Sequence, residues 1–140
     1  MPLNSFDSLC SKNQRIIVSK DKGSPCKHIA YNTHLAYVTH YMVDGYVLTE
    51  GMRCDFLLIN EDTKIGYLIE LKGSDLVRAS RQLEETEKAL KQQLTQYQIM
   101  YRIIIRKSST HAIHSSAFRS FQVRKGKKLI YHNNEYKENI

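Results

Sequence analysis

No apolar run in the 140 residues approaches the ~20 needed for a helix to span a bilayer. The opening stretch, Met1 to Asp7, has no basic segment followed by an apolar one, so a secretory leader is not expected. Together these absences predict a cytoplasmic protein that does not engage a membrane. Cysteine is scarce: Cys10, Cys26 and Cys54 show no CxxC spacing, which argues against a disulfide framework and predicts reduced thiols. The six glycines are scattered, so the chain has no glycine-rich phosphate loop to support P-loop nucleotide hydrolysis. No Ser-His-Asp or Cys-His pairing stands out, and there is no internal repeat or low-complexity tract.

Hydrophobic residues make up 41% of the chain, enough to build a core and too many for a disordered tail. The length suits a single domain over residues 1–140. Its expected core covers about 29–106, with a basic C-terminal extension over 107–140. The net charge is +7, from 21 Lys and Arg against 14 Asp and Glu. A surplus of this size on a small domain favours polyanionic partners, nucleic acid first.

Arg15 to Val18 reads as a short strand or the end of a helix, and Lys20 to Pro25 as a loop. Leu35 to Val43 is β-prone, Asp44-Gly45 supplies a turn, and Tyr46 to Leu48 resumes strand character, which predicts a hairpin. Met52 to Asn60 and Ile65 to Lys72 are strand candidates joined by a polar turn at 61–64, the second closed by Gly73. From Ser74 to about Gln96 the period changes. Leu76, Ala79, Leu83, Thr86, Leu90 and Leu94 recur at steps of three and four, one face of an amphipathic helix. Ser74 is the expected N-cap, with Asp75 in the first turn. Strands are expected again at Tyr97 to Arg106 and Lys128 to Tyr131. This order predicts an α/β fold with a mixed sheet.

Glu70 and Lys72 sit near the end of an apolar run, and Asp55 heads another. Ionised groups so placed need a partner, a ligand or water. Strand alternation puts Glu70 and Lys72 on one face. If the turn is centred between Asp62 and Thr63, Asp55 lies directly across from Glu70, with Cβ atoms ~5 Å apart. Carboxylates that close repel unless a cation lies between them or one is protonated. A hard divalent ion would take an oxygen from each, and the carbonyl of Leu71 is a candidate third donor. Lys72 would then reach the same pocket, suited to orienting water or offsetting phosphate charge. A slip of one residue would put the two acids on opposite faces.

Asp55 followed by Glu70-Leu71-Lys72, in two adjoining apolar strands ahead of a long helix and another strand, resembles the PD-(D/E)xK nuclease superfamily over roughly Tyr37 to Arg106. The resemblance implies a restriction-endonuclease-like mixed central sheet flanked by helices. It also implies a metal-dependent endonuclease that hydrolyses DNA phosphodiester bonds, with magnesium or manganese held by Asp55 and Glu70. Lys72 would assist the attacking water. Small members of the superfamily include Holliday-junction resolvases, which implies branched or structured DNA as a substrate and a homodimer as the assembly. Several branches carry a glutamine on the following helix that faces the site, a place that Gln82 can take. Gln82 belongs to a stripe with Asp75, Arg78 and Glu85 that borders the apolar helix face. The motif proline is Cys54 here, and no Glu precedes Glu50. The third acid is therefore Asp44, Glu50 or none.

Arg78, Arg106, Lys107, Arg124, Lys125, Lys127 and Lys128 are the candidate phosphate contacts. Arg102 and Arg119 add to this basic half, and Tyr97, Tyr101, Phe118, Phe121 and Tyr131 are interleaved for stacking. Cys26, His28, His34 and His40 are zinc-type ligands, but their spacing is not that of a familiar zinc site. His111 and His114 lie in a Ser/Thr-rich stretch that reads as a loop. The rival to catalysis is a nucleic-acid-binding or protein-interaction module that keeps the nuclease fold.

Overall fold

Strand β4 (Phe56–Asn60) is buried along its whole length, and β6 (Gln98–Ile105) nearly so, which accounts for their predominantly apolar sequences. They belong to a central sheet that is covered on both faces. The structure, a computed structural model, describes residues 3–73, 75–106 and 113–140, with Lys72 and Gly73 described by backbone alone. The central sheet has five strands in the order β3 (Val38–Met42), β4, β5 (Ile65–Gly73), β6, β7 (Leu129–Asn133). β3, β4 and β5 form an antiparallel meander, whereas β5, β6 and β7 run parallel. Helices α1 (Leu76–Ala89) and α2 (Ser116–Lys125) make the two parallel crossovers.

One face of this sheet packs on the helices, with Leu57, Ile59, Leu68 and Ile103 against Leu76, Leu83, Phe118 and Phe121. The other face packs on a three-stranded sheet in the order β1 (Ile16–Lys20), β2 (Lys27–Tyr31), β8 (Glu135–Asn139). There Ile17 and Ala30 meet Phe56, Leu58, Ile69 and Ile104. The result is one compact mixed α/β domain. No helix among the described residues is long and apolar enough to cross a membrane.

Several elements differ from the sequence reading. The hairpin expected over 35–48 does not form. β3 pairs with β4 instead, and Val43 to Leu48 makes a compact turn in which the Val47 and Leu48 amides bond the carbonyls of Met42 and Val43. Three residues after the turn are too few to compete with a predominantly apolar central strand. Met52 to Asp55 leads into β4 rather than belonging to it, because its backbone is held largely by α1. The expected helix to Gln96 ends at Ala89. Its 14 residues span ~21 Å, and turns complete the return to Gln98 beside Ile65 while Leu90 and Leu94 stay buried. Asp75 is the N-cap, its Oδ1 accepting from the Arg78 N–H at 3.0 Å, whereas Ser74 lies outside the described residues. α2 and β8 were not expected. Two fully buried aromatics, Phe118 and Phe121, anchor α2, and Ser115 caps its start.

The outer edge of β3 is covered by residues 8–12: the Leu9 N–H donates to the His40 carbonyl at 2.7 Å and the Val38 N–H to the Lys12 carbonyl at 2.8 Å. A polar seam lies between the sheets. Arg102, 5% exposed, donates from Nε and Nη2 to the two carboxylate oxygens of Glu138 at 2.7 and 2.9 Å. His28 Nε2 meets the same carboxylate at 2.6 Å. Burial opposes ionisation of Glu138, but the bonds from His28 and Arg102 outweigh it and hold its pKa at about 2. This seam ties the C-terminal strand to β2 and β6. Removing one member leaves a buried charge unpaired, so Glu138→Ala is expected to lower unfolding free energy by about 3–5 kcal/mol in urea titrations at neutral pH. Because the folded-state pKa lies below the ordinary value of 4.5, the wild type should also lose this stabilisation as pH falls from there toward 2.

Candidate active site

The β4–β5 ladder sets Phe56 opposite Ile69, Leu58 opposite Tyr67 and Asn60 opposite Ile65. This is the register of a turn centred between Asp62 and Thr63. The ladder ends at Phe56–Ile69, and just ahead of it the Asp55 N–H also turns to the Ile69 carbonyl at 3.1 Å while its C=O accepts from Val43 at 2.8 Å, so Asp55 sits at an irregularity beside Glu70 rather than in a regular pair with it. By alternation Glu70 shares the face of Leu68, the one covered by α1. The carboxyl groups of Asp55 and Glu70 are within hydrogen-bonding reach of each other.

The surroundings hold this pair together against its own repulsion. Asp55 Oδ2 accepts from the Leu71 N–H at 2.7 Å, so Leu71 contributes its amide to the site. Gln82 on α1 donates from Nε2 to the Arg53 carbonyl at 3.1 Å. Thr86, one turn on, accepts from the Cys54 N–H at 2.8 Å and donates to the Gln82 carbonyl at 2.6 Å. The helix thereby clamps residues 53 and 54, directly ahead of Asp55. The Gln82 amide nitrogen, expected to face the acids, is spent on the Arg53 backbone.

Glu70 is buried, and its Oε1 has no hydrogen-bond partner among the described residues. Burial, followed by the Asp55 charge, the hydrogen bond to Asp55 and the Asp44 charge, pushes its pKa up to about 10. Burial also raises Asp55, opposed by the Leu71 N–H and the bond to Glu70 and reinforced by the charges of Asp21 and Asp44. Asp21, which follows β1 in sequence, is an acid whose charge acts on Asp55 and that sequence reasoning did not select. Asp44 is bonded to Arg53 Nε at 2.7 Å, and Glu50 is exposed in the loop before Arg53. Among the described residues no group of three His, Cys, Asp or Glu side chains is placed to hold a metal ion.

Lys72 lies in β5, but the pairing with β6 shifts there: Leu71 is opposite Ile104 and Gly73 opposite Ile105. Lys72 is therefore the extra residue of a bulge, which interrupts the alternation that put it on the face of Glu70. Its side chain lies outside the described residues.

The basic residues divide into groups. Arg78 is exposed in the first turn of α1, and Arg106 is exposed just past β6, both toward the end of the sheet that carries Glu70. Lys107 and His111 lie outside the described residues. Arg124 bonds Glu84 at 2.8 Å, and Lys125 lies 3.5 Å from Glu87 and 4.6 Å over the Tyr101 ring, so these two tie α2 to α1. Lys127 and Lys128 are exposed just ahead of β7, whose first residue, Leu129, is level with Tyr101 and Leu68. Arg102 is a core residue, and Tyr101, Phe118 and Phe121 are buried rather than arrayed for stacking. His114 is exposed, with Nδ1 3.3 Å from Arg119. The zinc-type residues do not converge: His28 bonds Glu138, His40 Nε2 bonds Ser19 Oγ at 2.8 Å, and Cys26 is a buried free thiol.

No protein-family model, curated protein or solved structure matches this chain.

The acid pair costs the fold stability. The folded-state pKa of Glu70 lies above its ordinary value of 4.5, so the folded chain binds that proton more tightly than the unfolded one. Its contribution is complete below about pH 4.5 and declines as pH rises toward 10. Glu70→Gln removes this penalty and is expected to raise unfolding free energy by roughly 1–3 kcal/mol at about pH 8, with little change at about pH 4. Urea titrations at the two pH values measure it, and equal effects at both would contradict the assignment.

Proposed function

We propose that this chain is a divalent-metal-dependent nuclease acting on DNA, with Asp55 and Glu70 as the metal ligands and Lys72 as the residue that assists the water. The observation that carries this reading is the pair of half-buried to buried carboxyl groups brought together by the β4–β5 register, with Glu70 Oε1 left unpartnered. Stable cores seldom keep such a pair without a ligand, because repulsion and desolvation add. Hard oxygen donors suit magnesium or manganese. When bound, the ion supplies positive charge at a scissile phosphate and makes a bound water more acidic.

The chain's own groups have definable tasks. Asp55 Oδ2 is fixed by the Leu71 amide, and a metal ion would replace the hydrogen bond between the Asp55 and Glu70 carboxyls. Glu70 must release its proton on loading, so metal affinity rises with pH. Gln82 and Thr86 are positioning residues that hold the backbone before Asp55. Arg78 and Arg106 are placed to meet the DNA backbone beside the pair. The meander followed by α1 and the parallel strand β6 supports a restriction-endonuclease-like arrangement for this part of the sheet.

A non-catalytic module is the second reading, favoured by the bulge at Lys72 and by the lack of a third converging acid among the described residues. Cleavage of supercoiled, linear, single-stranded and four-way-junction DNA with magnesium separates the two. Asp55→Asn and Lys72→Ala should each lose at least ~100-fold in rate. Indistinguishable behaviour of wild type and Lys72→Ala overturns the catalytic reading. Magnesium should also raise the melting temperature of the wild type and leave that of Glu70→Gln unchanged.

A further inference from the structure

We infer that the chain forms a two-fold symmetric dimer in which β1 of one copy pairs antiparallel with β1 of another. This does not depend on the nuclease reading. β1 is the end strand of the three-stranded sheet. The Asn32 N–H donates to the Arg15 carbonyl at 2.8 Å, which makes Arg15–Asn32 a hydrogen-bonded pair of the ladder. Ile17 and Ser19 follow suit, so the backbone N–H and C=O groups of Ile16, Val18 and Lys20 point away from β2, along the outer edge. The Ile16 carbonyl accepts from Gln14 Nε2 at 2.9 Å and retains a second lone pair.

This edge lacks most devices by which sheets avoid pairing. It has no proline, no bulge and no inward charge, since Ile17 and Ser19 are its inward residues, and Lys20 at its end is its one charged side chain. The contrast with β3, whose edge is covered by residues 8–12, is internal to the molecule. The outward side chains are apolar and accessible: Ile16 is 51% and Val18 43% exposed. They stand beside Tyr31 and Ile29 in the cross-strand register, which extends the patch across β2.

A second copy fits this edge by register and by charge. The outward backbone groups belong to Ile16, Val18 and Lys20, so a two-fold axis at Val18 pairs Val18 with Val18 and Ile16 with Lys20. Each pair then exchanges both backbone hydrogen bonds. Each Lys20 meets an apolar residue instead of another lysine, and Arg15 of one copy lies opposite Asp21 of the other. The pairing joins two three-stranded sheets into one continuous sheet and closes both open edges.

Sedimentation velocity of the full chain across low to high micromolar concentration should show a reversible monomer–dimer equilibrium. Val18→Lys places like charges on the axis and should weaken the dimer at least ~10-fold, with an unchanged circular-dichroism spectrum because the site is exposed. Under diamide, Val18→Cys should give a covalent dimer linked through position 18. Ile16→Cys alone should not, whereas an equimolar mixture of Ile16→Cys with Lys20→Cys should. A chain that stays monomeric at every concentration overturns the proposal. So does a dimer that tolerates Val18→Lys, or one that fails to cross-link at position 18. Capture of an extended segment from an unrelated protein by an otherwise monomeric chain would count as the first of these outcomes.

Discussion

The pairing of β4 with β5 is the contact on which the candidate site depends. With Phe56 opposite Ile69, the two strands share one apolar face with the helices and another with the small sheet. A slip of one residue would turn Leu57 and Ile59 toward the wrong layer. Burial on both faces makes such a slip costly, so the packing that builds the core also brings the acids together. The site is a by-product of the most strongly specified register in the molecule.

That register forces an unfavourable pair, and neighbouring elements restrain it. The Leu71 amide, the Gln82 side chain and the Thr86 hydroxyl fix the Asp55 segment from three directions. None of them neutralises Glu70. Among the described residues no cation is paired with Glu70. The polar seam on the opposite face shows the alternative. There Glu138 is matched by Arg102 and His28, and its pKa falls instead of rising.

Part of the positive charge on the C-terminal third is used inside the molecule. Arg102 lies within the core, and Arg124 and Lys125 dock α2 on α1 through Glu84 and Glu87. The net positive charge therefore overstates the cationic surface available to a polyanion. Arg78 and Arg106, toward the end of the sheet that carries Glu70, remain exposed.

The sequence by itself determined the strand that carries Glu70, the apolar strand that follows Asp55, the turn between them and hence the register of that hairpin. These depend on local alternation and on a short connection, whose length leaves few ways to pair. It also revealed the apolar face of α1 and its following parallel strand. It did not determine the fate of the long polar side chains. Whether an arginine meets solvent, phosphate or a carboxylate 36 residues away, as Arg102 meets Glu138, depends on which strands become neighbours. The same holds for Asp21, whose charge acts on Asp55, and for α2, whose two aromatics mark a helix only once a sheet face waits to receive them. The bulge at Lys72 arises where β5 must fit β6, a match between two strands that neither segment encodes alone.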